Sequence, residues 1–384
     1  MVEKVRRGVS MRRVARMFHV GFSTVRFWVK RAEGKRPCRV DWSDRPSGCR
    51  RSGNRTSEDV EVLVLTVRKQ LRECSDLGEF GARAIQAELV NRGLAAPPSV
   101  RTIGRILERR GALDGRRRVR RPAPPRGWYL PDVASGKAEM DCFDIVEGLV
   151  IRDGPDVEVL NGCSLHGGLV ASWPMSTVTA KTTVEALIEH WKSIGLPDYV
   201  QFDNDTPFQG PHQHRDVVSR VMRLCLSLGV TVVFAPPREP GFQATIEAFN
   251  GRWQEKVWRR FHHPSLAELQ ERSNRYVAAA RLRAGARIEA APERRSFPDS
   301  WTLDLQAHPR GRFVFIRRTN DQGTVTLLGR SFSLGDHWLH RLVRSEVDLD
   351  NAVIRFYALR RRDPAYQPLL CEIPYSLPKR PFKE

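Results

Sequence analysis

"PDYVQFDNDTPFQG", residues 197–210, puts a short apolar run directly in front of Asp203, Asn204 and Asp205 and follows it with a Thr-Pro-Phe turn. A β-rich run bounded by turn residues reads as a buried strand. Ending it on two carboxylates is costly unless they are needed there. Working outward, 137–151 and 156–165 read as a hairpin around "RDGP", 167–175 as a third strand and 182–195 as an amphipathic helix stopping at Gly195. A helix over 214–229, a strand over "VTVVFAP" and a long helix from Phe242 follow. Antiparallel strands that lead into strand and helix alternation predict a mixed sheet with helices on both faces, a ribonuclease H-like α/β core over 134–260.

Three carboxylates hold telling places in that scheme. Asp141 lies in the first strand, Asp203 ends the fourth and Glu247 sits in the first turns of the helix after a Pro- and Gly-containing loop. Strand ends and a helix packed across them can bring such groups together. Hard divalent cations need oxygen ligands, and three converging carboxylates would hold two of them while leaving positions for water and phosphate. Singly, each has an ordinary structural reading, as a hydrogen-bonded strand residue or as a charge favoured near a helix N-terminus.

The charge is unevenly spread. The chain of 384 residues has a formal net charge of +20, and residues 1–126, with 31 Lys and Arg against 13 Asp and Glu, carry +18 of it. Clustered positive charge draws in phosphate backbones through counterion release, so nucleic acid is the expected partner. No run of eighteen apolar residues or secretory leader occurs, which points to no membrane and to a soluble, intracellular protein. The seven cysteines are scattered without a C-x-x-C pair, arguing for reduced thiols and against structural zinc. His212 and His214 form an H-x-H pair with no further ligand nearby and read as an exposed loop.

The basic front third divides into modules. Residues 1–32 read as a helix-turn-helix, with Ser10 and Ser23 as caps, Val14, Ala15, Phe18, Val25, Trp28 and Val29 turned inward, and Thr24, Arg26, Phe27 and Lys30 outward, where they would meet DNA. A basic linker at 33–56 follows. Residues 57–111 read as a second helix-turn-helix or winged-helix-like module whose third helix, capped by Ser99 and stopped by Gly111, offers Arg101 and Arg105 to DNA. Residues 112–133 read as another basic linker, 261–310 as a helical connector and 311–370, with short β-rich runs between turns, as a small C-terminal β-barrel.

"AEMDCFDI", "YVQFDNDTPF" and "PPREPGFQATIEAFNGRWQEKVW" resemble the three signature blocks of the integrase catalytic core in DDE transposases of bacterial insertion sequences and in retroviral integrases. The resemblance matches Asp141 to the first Asp, Asp203 to the Asp of the Asp-Asn-Gly block and Glu247 to the Glu. It implies a metal-dependent enzyme using two Mg²⁺ or Mn²⁺ ions for phosphodiester hydrolysis and strand transfer. The implied partners are double-stranded DNA, as element ends and target, and further copies of the chain in a dimer or higher multimer. Lys256, on the Glu247 helix, would approach the DNA. Asp205 departs from the Gly of the family's block, and the interval from Asp203 to Glu247 is longer than usual, with "QGPHQH" the expected insertion. A catalytically inactive DNA-binding regulator and a nuclease without strand transfer are the rival readings.

Overall fold

The computed structural model describes residues 1–43, 56–113, 126–211, 214–239, 241–335, 338–361 and 363–378. Residues 44–55 of the linker expected at 33–56 and 114–125 of that at 112–133, with His212, lie outside the described residues. The chain divides into two compact units, Met1–Val60 and Glu61–Glu384.

The first unit holds α1 (Val2–Arg6), α2 (Met11–Met17) and α3 (Phe22–Arg31). Ser10 caps α2, its hydroxyl accepting from the Arg13 amide, and the chain turns through His19 at φ 50°. Val14, Ala15 and Val25 close a small core against Val5, Val20 and Val29. Two expectations need correcting. Gly21, not Ser23, is the N-cap of α3, and Phe18 is 45% exposed because α2 ends one residue before it.

In the second unit α4 (Glu58–Cys74), α5 (Ala82–Asn91) and α6 (Val100–Arg109) pack around Val64, Val67, Ile85, Leu89, Ile103 and Leu107. Ser99 caps α6, and Gly111 follows its end at φ 65°. Residues 56–113 contain no strand, so the module has no wing. Nor does it stand apart from the core: Arg260 donates to the Glu73 carbonyl at 3.1 Å, and Arg275 pairs with Asp76 at 3.1 Å.

The chain then runs through α7 (Pro131–Ala134), β1 (Met140–Val150), β2 (Asp156–Ser164), β3 (Val170–Met175), α8 (Ala180–Ile194), β4 (Tyr199–Phe202), α9 (Thr206–Gln209), α10 (Arg220–Ser227), β5 (Thr231–Phe234) and α11 (Ala244–Trp253). A π-helical turn at Gln254–Trp258, α12 (Leu266–Arg283) and α13 (Gly285–Glu289) lead to β6 (Arg312–Arg318), β7 (Thr324–Leu327), β8 (Arg330–Ser333), β9 (Leu342–Asp348), β10 (Val353–Ala358) and β11 (Leu369–Pro374). The strand and helix order read over 137–253 is the order found.

Nine of the strands form one sheet, ordered β11-β10-β9-β6-β5-β4-β1-β2-β3. β1, β2 and β3 are antiparallel; β1, β4, β5 and β6 are parallel. Two cores cover its faces. One gathers Phe143, Leu187, Trp191, Phe202 and Met222; the other gathers Met140, Cys142, Ile246, Phe249, Trp253 and Tyr276. Gly162 faces Phe143 across the β1–β2 ladder, where a Cβ would lie 2.5 Å from the ring, so only glycine admits that ring.

The separate C-terminal barrel is not found. β6 pairs with β5, and β9, β10 and β11 add to it, so the C-terminal strands extend the core sheet. The reason lies in "FVFI", where Phe313, Val314, Phe315 and Ile316 are buried on both faces and cover what would be the open edge of β5. The segment 126–133 is likewise no solvated linker, since Trp128, Tyr129, Leu130 and Val133 are buried.

Candidate active site

Parity along β1 decides which carboxylate can face the helix that carries Glu247. Successive strand residues point to opposite faces. Met140, Cys142 and Val146 join the core on the α11 face, whereas Phe143 joins the core on the α8 face. Asp144 therefore shares the α11 face and Asp141 does not. Register adds a second constraint. Asp141 pairs with Val200 and Cys142 with Gln201 in the parallel β1–β4 ladder, so two further steps bring Asp144 level with Asp203. Asp141 lies three residues back, about 10 Å along the strand.

The side chains agree. Asp141 is 1% exposed, and both its oxygens are taken by Arg294, at 3.0 and 2.5 Å, while Trp191 Nε1 donates to Oδ2 at 3.1 Å. It is a structural ion pair holding residues 294–295 to the sheet. Asp144 instead feels the charges of Asp205 and Glu247, and burial with those charges pushes its pKa up to about 6. Asp203, raised by burial, by its hydrogen bond with Asp205 and by the charges of Asp205 and Asp144, reaches about 8. The structure thus sets Asp203 beside Asp144, on which the charge of Glu247 also acts, and turns Asp141, the residue expected there from the sequence, to the opposite face. The signal was available: in "AEMDCFDI" the two aspartates are three apart and must point to opposite faces.

Supporting groups fix the carboxylates. Asn250, one turn after Glu247, donates through Nδ2 to Asp144 Oδ2 at 2.7 Å and accepts from Asn161 Nδ2 at 2.9 Å, so Asn161 sets which way its amide points. Asn204 donates to the Ala235 carbonyl at 2.8 Å and accepts from Arg317 Nη2 at 2.7 Å. Arg317 also donates to the Ala235 and Ile316 carbonyls, at 3.2 and 2.9 Å. The Asp205 amide donates to Asp203 Oδ1 at 3.0 Å, and Asp205 has φ −67° at the N-cap of α9, a backbone any residue adopts. Its replacement of Gly therefore costs nothing in the backbone; it adds a carboxylate.

The donor set fits a hard divalent cation. Asp144, Asp203, Asp205 and Glu247 offer only oxygen, and the raised pKa values of Asp144 and Asp203 record burial first and then repulsion among carboxylates, both of which a cation would relieve. Among the described residues no three His, Cys, Asp or Glu side chains stand close enough together to hold a metal ion.

The remaining expected residues are spread out. Thr24, Arg26 and Lys30 are exposed on α3, and Arg101 and Arg105 on α6. Lys256 lies in the π-helical turn, paired with Glu255 at 2.9 Å and placed over the Phe80 ring, so it packs the α4–α6 module to the core. His214 is exposed. No helix among the described residues is long and apolar enough to cross a membrane.

No protein-family model matches the chain, and no curated protein matches it. Among solved structures it is similar to a chain of the simian T-cell lymphotropic virus intasome, in complex with PP2A regulatory subunit B56 gamma, at 14% identity over 78% of this chain and 95% of that one, with a TM-score of 0.33. It is similar to the catalytic core domain of BIV integrase at 14% identity over 36% of this chain and 81% of that one, TM-score 0.26. The HTLV-2 integrase catalytic core domain, in its dimeric form in complex with magnesium, is similar at 13% identity over 41% of this chain and 87% of that one, TM-score 0.26. At these scores the neighbours lend the chain neither their metal nor their partners, and its site is read from its own residues.

Proposed function

We propose that the chain is a DNA transposase or integrase whose carboxylate triad is Asp144, Asp203 and Glu247. The observation that carries the reading is the level register of Asp144 and Asp203 on adjacent parallel strands, with the charge of Glu247 acting on Asp144 from α11. The strand order β3-β2-β1-β4-β5, with helices over both faces, supports a ribonuclease H-like core. Two Mg²⁺ or Mn²⁺ ions, when bound, would activate a water or a DNA 3′-hydroxyl and stabilise the departing 3′ oxygen during in-line attack on a phosphodiester.

The chain's own residues supply the rest. Asp144, Asp203 and Glu247 would hold the ions, Asn250 aims the Asp144 carboxylate, and Arg317 fixes the turn that presents Asp203. The basic helices α3 and α6 would grip the element ends, and joining two ends calls for at least two copies of the chain.

The test is cleavage and joining of duplex DNA bearing the flanking element ends, with Mg²⁺ or Mn²⁺. Products from wild type that vanish in Asp144→Asn and Glu247→Gln support the reading. Wild-type binding without products moves it to a DNA-binding regulator, and cleavage without joining moves it to a nuclease.

A further inference from the structure

On the α11 face of the sheet, along the flank of α11 turned away from Glu247, a recess of about 270 Å³ opens between α11 and the start of the core. Tyr129, Leu165 and Phe242 form an apolar floor, and Arg126, Arg252 and Arg287 stand round it. These arginines come from three distant parts of the sequence. Arg287 is anchored by donating to the His166 and Leu165 carbonyls, the latter at 2.7 Å, and Arg126 reaches the same Leu165 carbonyl at 3.1 Å. Among the described residues none of the three has a carboxylate within ion-pair distance. Burial first, then the charges of Arg126 and Arg252, pull the Arg287 pKa down against the opposing pull of Cys163 and Glu139.

The backbone makes room for this arrangement. Gly168 has φ 67°, and a Cβ there would lie 2.5 Å from Arg287 Nη1, so the guanidinium occupies the place of a side chain.

We infer that this recess binds a backbone phosphate of duplex DNA, a step that rests on the DNA-processing reading above. Guanidinium forks match phosphate oxygens in pairs, and an apolar floor removes the water that would weaken them. α11 carries Arg252 on one flank with Ala244, Thr245 and Ala248, and Glu247 on the other with Asn250, so a phosphate held here fixes the DNA backbone across the helix from the carboxylates.

The experiment measures affinity of the full chain for a labelled duplex across a salt series, using Arg126→Gln and Thr245→Glu. Thr245 lines the recess in the first turn of α11, where a glutamate suits the helix and places a negative charge against the arginines. Each variant should bind about tenfold more weakly, with the slope of log affinity against log salt reduced by about one. Wild-type affinity and slope in both would overturn the assignment. So would inorganic phosphate raising the melting temperature of wild type but not of Thr245→Glu while duplex binding stays equal, since the recess would then take a small free anion. Cleavage by Glu247→Gln is scored separately: its persistence would remove the carboxylate reading and leave the phosphate recess standing.

Discussion

Arg317, on β6, donates from Nη2 to Asn204 Oδ1 at 2.7 Å, tying a strand near the C-terminus to the turn that presents Asp203. Burial alone pulls the Arg317 pKa down to about 10, and its charge is answered by carbonyl oxygens and the Phe315 ring. Arg317→Met is expected to fold, to lose ~1–3 kcal/mol from the stranded acceptors, and to cut metal-dependent cleavage by about a hundredfold through a loosened Asp203. Chemical denaturation and a cleavage assay on the same preparation check both.

Asp141 and Asp144 should part company under mutation. Asp141→Asn breaks a buried pair with Arg294 and should cost ~3–5 kcal/mol. Asp144→Asn should leave the melting temperature within a few degrees and abolish cleavage. The reverse outcome, a stable, inactive Asp141→Asn beside an active Asp144→Asn, would return the triad to Asp141.

The crowded carboxylates make the metal-free fold pH-sensitive. Asp203 is raised from 3.8 to about 8, so the folded chain holds a proton that the unfolded chain gives up first. Stability is full below pH 3.8 on this account and falls as pH rises toward 8. In EDTA at pH 8, Asp203→Asn should be more stable than wild type by roughly 1–3 kcal/mol, given coupling to its neighbours. The gain should shrink toward pH 4, and added Mg²⁺ should stabilise wild type alone.

His190 acts in the opposite direction. Packed edge-on to Trp173 at 5.3 Å, it is held neutral, burial taking its pKa from 6.5 to about 3 against the pull of Asp141. Above pH 6.5 both states are neutral. As pH falls from there toward 3 only the unfolded chain gains the proton, and stability drops by about 1.4 kcal/mol per pH unit. Urea titrations at pH 7 and pH 5 should show that slope in wild type and lose it in His190→Gln.

Much of this was legible in the sequence because local patterns produced it. Ser10 and Ser99 cap the helices they precede, and the apolar run before Asp203 is the strand it reads as. Asp144 was missed because motif matching weighed the words around each aspartate and not the parity of the strand, which alone decides the face. The fate of "FVFI" was illegible for another reason: a short buried strand looks the same whether it closes a barrel or joins a sheet, and only the long-range pairing with Phe234 distinguishes them. The arginine recess combines residues 126, 252 and 287, and no local pattern foretells such a meeting.

The sheet that runs unbroken from β3 to β11 also sets an order in time. A ribosome delivers Asp144, Asp203 and Glu247 well before Arg317 and the strand that shields β5. Until β6 docks, the turn bearing Asp203 lacks its anchor, so a nascent or prematurely terminated chain would carry all three acids without the arginine that fixes the turn of one of them. Under the DNA-cutting function proposed above, this order ties competence to completion of the polypeptide.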